Sequence, residues 1–285
     1  MRRQIIFSFC MVWLAACASS PATIVTPEPI VAAERAFAAY GYASGVKTSF
    51  TSYAAPDAIM FAPDPVNVHD YFSVQPDAPP DPARPHLVWW PLWAGISRSG
   101  DLGFTSGPYG FDEVRRGWYF TIWQKQPDGL WKWVLDAGVD ADPAGAAGKD
   151  AAVDFLPVTE QGSADSGAAL AQVKALEAAM ATDVANGSPC AYAGSLAPEA
   201  RLHSEGAPPG IGAETRKVAL AARPARMILE PRGGGASAAG DLVWTWSEAS
   251  WDAGGPGRGV IVRVWQKRKT GWAIVFDELV PRPAP

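Results

Sequence analysis

The chain contains two copies of one unit. Gly100-Asp101-Leu102 recurs as Gly240-Asp241-Leu242, and Thr105 falls on Thr245. Arg116-Gly117 recurs as Arg258-Gly259, Trp123-Gln124-Lys125 as Trp265-Gln266-Lys267, Trp131 as Trp272, and Asp136 as Asp277. The offset stays between 140 and 142, and its drifts fall in turns. Upstream, Pro56-Asp57-Ala58 aligns with Pro198-Glu199-Ala200 and Glu34 with Glu177. Order, spacing and residue type agree together, so both halves must be able to adopt one fold. A chain of 285 residues then holds two small domains of about 110 residues each.

Each unit reads helix first and sheet last. Ile30, Ala33, Phe37 and Tyr40 give helical spacing over 29–42, as do Leu170, Val173, Leu176 and Met180 over 168–184. The middles are irregular and rich in Pro, above all Gln75–Pro85. Alternation then predicts strands near 87–97, 101–109, 117–126 and 130–138, and near 225–231, 241–250, 259–268 and 272–280. Asp128-Gly129 reads as a type I′ hairpin and Lys269-Thr270-Gly271 as a three-residue loop. Gly233-Gly234-Gly235 reads as a hairpin loop and Gly210-Ile211-Gly212 as a turn. The 28 Gly and 26 Pro, about a fifth of the chain, suit a loop-rich fold rather than a helical bundle. The expected organisation is a leader (1–16), a tether (17–27), a first domain (28–140), a linker (141–168) and a second domain (169–280). The linker holds one apolar island, Val153–Val158, able to pack on a domain.

The end of each unit carries the most specific pattern: "SGDLGFTSG" then "TIWQKQPDGLWKWVLD" in the first, and a looser Gly259–Asp277 in the second. It resembles the nuclear transport factor 2-like (NTF2-like) superfamily, in its SnoaL-like and domain-of-unknown-function branch. The resemblance implies an α+β fold: two tandem cone-shaped domains, each with N-terminal helices packed on a curved antiparallel sheet. It implies no single activity, because this fold hosts isomerases, dehydratases, cyclases, transport factors and binding modules.

Alternation also assigns faces. Trp118, Phe120 and Ile122 share one with Trp131, Trp133 and Leu135, and Val260, Val262 and Val264 share one with Trp272, Ile274 and Phe276. These most apolar faces are expected to be concave, covered by helices and ligand-lining. The opposite faces carry Tyr119, Thr121, Trp123 and Asp136, then Ile261, Arg263, Trp265 and Asp277. They are expected to meet through Trp123 and Trp265 as a covalent pseudo-dimer; two independent beads are the alternative. Arg263 should lie opposite Asp277 as an ion pair.

The N-terminus reads as an address. Arg2 and Arg3 precede an apolar run, Ile5–Ala16, too short to span a bilayer. Leu14-Ala15-Ala16-Cys17 resembles the bacterial lipobox, which implies lipidation of Cys17 and a membrane partner reached through that anchor. With Ala18 rather than Asp after the Cys, the resemblance favours an outer-membrane anchor facing the periplasm. Cleavage after an Ala-x-Ala pattern, with Cys17 incidental, is the alternative. The formal net charge is −5, and −7 without Arg2 and Arg3, which gives nucleic acid no basic surface to bind.

No cofactor or metal motif is present: His69, His86 and His203 are isolated, and neither CxxC nor HExxH occurs. Cys190 has no neighbouring His and reads as an inert thiol. His69 with Asp70, and His203 with Glu205, are the candidate acid–base pairs, each otherwise a solvated loop histidine. Asp136 and Asp277 have the parity of structural residues. Trp89, Trp90 and Trp93 flank Pro91 in a strand that reads as an edge or a bulge, its rings either core or ligand-facing. Together these features favour an envelope lipoprotein that binds a small apolar ligand or a partner without catalysis. An isomerase-, dehydratase- or cyclase-type enzyme using one cone is the alternative, and a purely structural protein is a third.

Overall fold

The computed structural model describes residues 24–76, 84–141, 145–187, 193–252 and 255–283. The leader, Cys17 and Cys190 lie outside them. The first unit runs α1 (Glu28–Ser44), α2 (Val46–Tyr53), β1 (Ala54–Phe61), β2 (Pro65–Asn67), α3 (Val68–Ser73), β3 (Leu87–Trp89), β4 (Trp93–Ile96), β5 (Leu102–Phe111), β6 (Val114–Lys125) and β7 (Trp131–Val139). A short strand, β8 (Asp154–Phe155), follows. The second unit runs α4 (Ser166–Ala185), β9 (Leu196–Ser204), β10 (Gly210–Ile211), α5 (Ala213–Ala221), β11 (Ile228–Ala236), β12 (Leu242–Trp251), β13 (Gly257–Arg268) and β14 (Gly271–Arg282). The fold is α+β with two sheets. Their orders, β2-β1-β7-β6-β5-β4-β8 and β10-β9-β14-β13-β12-β11, correspond strand for strand apart from β8 and the split between β3 and β4. In each, the first strand pairs in parallel with the last, β1 with β7 and β9 with β14.

The helices form where the sequence supplies both a start and an apolar stripe. Pro29 occupies the first turn of α1, where its missing N–H costs nothing, and the helix ends at Gly45 with φ 84°. Its buried stripe is Ile30, Glu34, Phe37 and Gly41. The Asp165 carboxylate caps α4 by accepting from the Ala168 N–H at 2.9 Å. The middles are more ordered than expected. Each carries a hairpin-like strand pair and a short helix, whose period-two pattern is masked by Pro56 and Pro198.

Pro91 does split the Trp-rich segment. β3 pairs with β5 at Tyr109–Phe111 and β4 with β5 at Gly103–Ser106. Unlike the expected edge, β4 is covered by β8, and Leu156 of the linker island is buried in the core. Gly233-Gly234-Gly235 lies inside β11, not in a hairpin loop. Side chains at Gly233 and Gly235 would collide with the indoles of Trp246 and Trp244, whose Nε1 atoms would lie 2.4 and 2.8 Å from the added Cβ.

The hairpin expectations are exchanged. Gln126 and Leu130 close a three-residue loop, Pro127–Gly129, with Gly129 at φ 85°, whereas Arg268 pairs with Gly271 around a two-residue loop. Each hairpin also carries a bulge, at Val134 and at Val275. A bulge shifts parity by one residue, and it overturns the expected faces. Trp131, Trp133, Trp272 and Ile274 lie on the helix side, with Trp123 and Trp265 opposite them. Trp118, Phe120, Ile122 and Leu135, and Val260, Val262, Val264 and Phe276, lie on the other side. Trp272 Nε1 donates to Gln172 of α4 at 3.0 Å, in keeping with this assignment. Arg263 does pair with Asp277 in register.

The two sheets meet through the apolar faces, not through Trp123 and Trp265. Phe120 and Phe276 stack with centroids 3.5 Å apart, and Phe61 packs edge-on to Trp246 at 5.9 Å. The turns 97–101 and 237–241 add a reciprocal contact. Arg98 N–H donates to Asp241 at 2.8 Å, and Ala238 N–H donates to Asp101 at 2.9 Å. Each Asp also accepts from its own turn's serine hydroxyl, Ser97 or Ser237. The same patch is used twice across a pseudo-two-fold axis, as at an isologous dimer interface.

Candidate functional site

The helix-covered side of the first sheet holds a cavity of about 150 Å³, open on one side. Phe37 of α1 and Phe50 of α2 close it from above, Leu87 and Trp89 from β3, and Tyr109, Tyr119, Asp136 and Gly138 from the sheet. Phe37 packs against Phe50 and Trp89 with centroids 5.0 and 4.9 Å away, so this part of the wall is aromatic.

One acidic group, Asp136, lines this apolar space, and a second, Glu34, is bound to the lining residue Trp89. Glu34 is fully buried and accepts from Trp89 Nε1 at 2.6 Å, Trp123 Nε1 at 2.9 Å and the Thr105 hydroxyl. Burial raises its pKa, and those three donors oppose the rise. Asp136 is half-buried at the cavity wall and accepts from the Thr121 hydroxyl at 2.7 Å. Burial lifts its carboxyl to about 8, Thr121 holds it back, and the nearby Glu34 and Glu278 add to the lift. Neither acid forms an ion pair among the described residues. Tyr119 is 6% exposed, and its hydroxyl has no hydrogen-bond partner; Thr105 lies beside it outside bonding geometry. Burial, and then the Glu34 charge, push that phenol well above its ordinary range, so it stays a donor. At neutral pH Asp136 and Tyr119 therefore both stand as neutral O–H groups in a mainly apolar lining, while the Tyr109 hydroxyl is engaged with Asp140.

The second unit carries larger side chains at two of the equivalent positions. Register places Arg263 where the first unit has Thr121, Ile261 for Tyr119 and Leu279 for Gly138. Arg263 Nε donates to Asp277 at 2.6 Å, its Nη1 lies 3.7 Å from Glu177, and Arg223 also binds Asp277. Burial alone would raise the pKa of Asp277, but the two guanidiniums outweigh it and hold the carboxyl below its usual value. Glu177 accepts from Trp265 at 2.9 Å and from Thr245 at 2.7 Å, the counterparts of Trp123 and Thr105. One polar frame is thus closed by cations in one cone and left open in the other.

None of the twelve residues on the faces expected to be ligand-lining lines this cavity. Trp118, Phe120, Ile122 and Leu135 lie on the other side of the sheet, Trp131 and Trp133 share the helix side but are not in the cavity wall, and the remaining six belong to the second unit. The candidate acid–base pairs do not come together there either. His69 sits in α3, its ring against the Ala55 carbonyl at 3.1 Å, while Asp70 is exposed. His203 lies on β9, buried between the sheets, and pairs with Glu278 at 2.8 Å rather than with Glu205, which is exposed. Burial lowers His203 to about 3, helped by Arg201 and Arg223, and lifts Glu278 well above the carboxylate range. The first unit has Phe61 and Ala137 at those positions. Among the described residues no group of three or more His, Cys, Asp or Glu could hold a metal ion. Asp136 and Tyr119 were legible only as the mixed face of a strand. Glu34 carried a signal, a charge on the apolar stripe of α1 that recurs at Glu177.

No protein-family profile and no curated protein sequence matches the chain. Solved structures do. An NTF2-like protein of unknown function from Pseudomonas putida KT2440 is 14% identical, covering 42% of this chain and 89% of its own, with a TM-score of 0.34. A ketosteroid isomerase-like protein from Erwinia carotovora atroseptica is 19% identical, covering 40% and 97%, with a TM-score of 0.35. The chain resembles NTF2-like proteins. A DUF3225-family protein of unknown function from Pectobacterium atrosepticum is likewise similar, 17% identical over 41% of this chain and 92% of its own, with a TM-score of 0.35.

Proposed function

We propose that the first unit is the working site and binds a small, mainly apolar molecule with one oxygen function. The second unit acts as its filled, rigid twin. The observation that carries this is the contrast at equivalent positions: Arg263 and Leu279 fill one cone, while Thr121 and Gly138 leave the other open around Asp136 and Tyr119. A cavity of about 150 Å³ accommodates a single ring, and the open side lets a larger ligand extend outward. Two neutral donors in an apolar wall favour a carbonyl or hydroxyl oxygen at the inner end. The test is native mass spectrometry of protein purified gently from envelope extract. Wild type should carry an added mass, and Gly138→Leu should not. Bare wild type would leave the structural reading in its place.

A second reading, proton transfer on the bound molecule, is favoured by the Asp136 carboxyl alone, which at about 8 can both give and take a proton near neutrality. A pH–rate profile that bends near that value and is flattened by Asp136→Asn would move the function from binding to catalysis.

The leader sequence supports tethering at the cell envelope through Cys17, on the periplasmic side of the outer membrane. Among the described residues no helix is long and apolar enough to cross a membrane. Cys17→Ser should shift the protein from the detergent to the aqueous phase, and unchanged partition would refute the anchor.

A further inference from the structure

Among the described residues β8 has no counterpart in the second sheet. In the first unit β4 is fully buried because β8 lies beside it in parallel. Asp154 and Leu156 N–H donate to the Leu92 and Ala94 carbonyls at 3.0 and 2.8 Å. Leu156 drops its side chain against Gly95, beside the Phe104 ring. Two residues of the second unit complete the seat. Gln266 Nε2 donates to the Pro157 carbonyl at 2.9 Å, and Arg201 pairs with Asp154 at 2.9 Å.

Each part of that seat has a twin. Register places Gly234 and Gly235 of β11 where β4 has Ala94 and Gly95, and Trp244 where β5 has Phe104. Gln124 stands for Gln266, and Ile59 for Arg201. Yet no described strand pairs with the outer edge of β11. Ser237 N–H donates to Leu242, so by alternation the backbone groups of Gly234 and Ala236 point away from β12. Gly233 to Ala236 are partly exposed, where β4 is buried. The counterparts Ile59, Gln124 and Trp244 instead line a cleft of about 540 Å³, together with Val134, Asp57 and Lys125.

We propose that this cleft docks an extended peptide segment of a partner protein, added in parallel to β11 as β8 is added to β4. Main-chain bonding at Gly234 gives the affinity. The recognised chemistry is that of Asp154-Phe155-Leu156-Pro157: an aliphatic side chain over Gly235 and Trp244, followed by a carbonyl that accepts from the Gln124 amide. Ile59 in place of Arg201 removes the cation that pairs with Asp154, so the partner needs no acid at that position.

The test uses the full chain and a fluorescein-labelled peptide of residues 152–159, with its Leu156→Asp form as control. Fluorescence anisotropy should show saturable binding, weakened at least about tenfold by Trp244→Ala and about threefold by Gln124→Ala. Neither variant touches β8, so β8 remains in place in both. The control peptide should not bind. Absence of saturable binding, or binding unchanged in both variants, would overturn the proposal. Binding that appears only after removal of residues 1–23 would overturn the partner in favour of an occupant from the chain itself. Dimerisation that competes with the peptide would replace the partner with a second copy.

Discussion

The unneutralised acid in the open cone makes a prediction that needs no knowledge of the ligand. Replacing Asp136 by Asn keeps an oxygen for the Thr121 hydroxyl and removes the charge. The folded carboxyl titrates at about 8 instead of 3.8, so between those values the folded state holds a proton that the unfolded state has released. Stability must therefore fall as pH rises through that window and level off above pH 8. Four pK units correspond to at most about 5–6 kcal/mol. Water entering the half-open cavity returns part of that, which leaves about 2–4 kcal/mol between pH 5 and pH 9. Urea unfolding of wild type and Asp136→Asn at pH 5, 7 and 9 measures it directly. The variant should be only slightly more stable at pH 5 and clearly more stable at pH 9. A stability difference constant with pH would show that Asp136 ionises normally, and the argument from a half-buried acid with no cation beside it would fail.

Other expectations follow from the twin comparison. Gly138→Leu installs the residue that the second unit uses. Its Cβ would lie 3.5 Å from the Trp118 carbonyl oxygen and 3.6 Å from the Tyr109 ring, ordinary contacts, so the variant should fold and gain about 1–2 kcal/mol by thermal or urea unfolding. His203→Phe or Glu278→Ala alone leaves one buried polar partner stranded and should cost about 1–3 kcal/mol. The double variant recreates the Phe61–Ala137 pair of the first unit and should recover most of that loss in a double-mutant cycle. Asp241→Ala removes acceptors for Ser237 and Arg98 at a fully buried carboxylate, and it should cost about 2–4 kcal/mol. The more exposed Asp101→Ala should cost less.

Much of the architecture was readable from the sequence because the repeat doubled every signal. The paired Gly-Asp-Leu turns, the Trp-Gln-Lys strand ends and the two amphipathic helices fell close to their expected places. What failed was parity. Val134 and Val275 are the residues each strand would show anyway, so nothing in the residue types marks them as bulges. Yet Val134 turns Trp131 and Trp133, and Val275 turns Trp272 and Ile274, to the other side of the sheet. That single shift hid the site, because Asp136 and Tyr119 were assigned to the face away from the helices. Glu278 was hidden differently. It sits on an otherwise apolar face between two sheets, and its partner His203 comes from a strand 75 residues earlier. The triple glycine misled for a physical reason: it suits a turn by itself, and only the indoles of Trp244 and Trp246 across the strand explain it within a sheet.

The central claim is that one cone is open and its twin is closed. Titration with phenol, a single ring with one hydroxyl, followed by backbone amide shifts, tests it most directly. Saturable shifts at Tyr109, Tyr119 and Gly138, with none at Ile261, Arg263 and Leu279, are predicted, and Gly138→Leu should abolish them. Equal shifts in both units, or shifts only around Ile261 and Leu279, would contradict it.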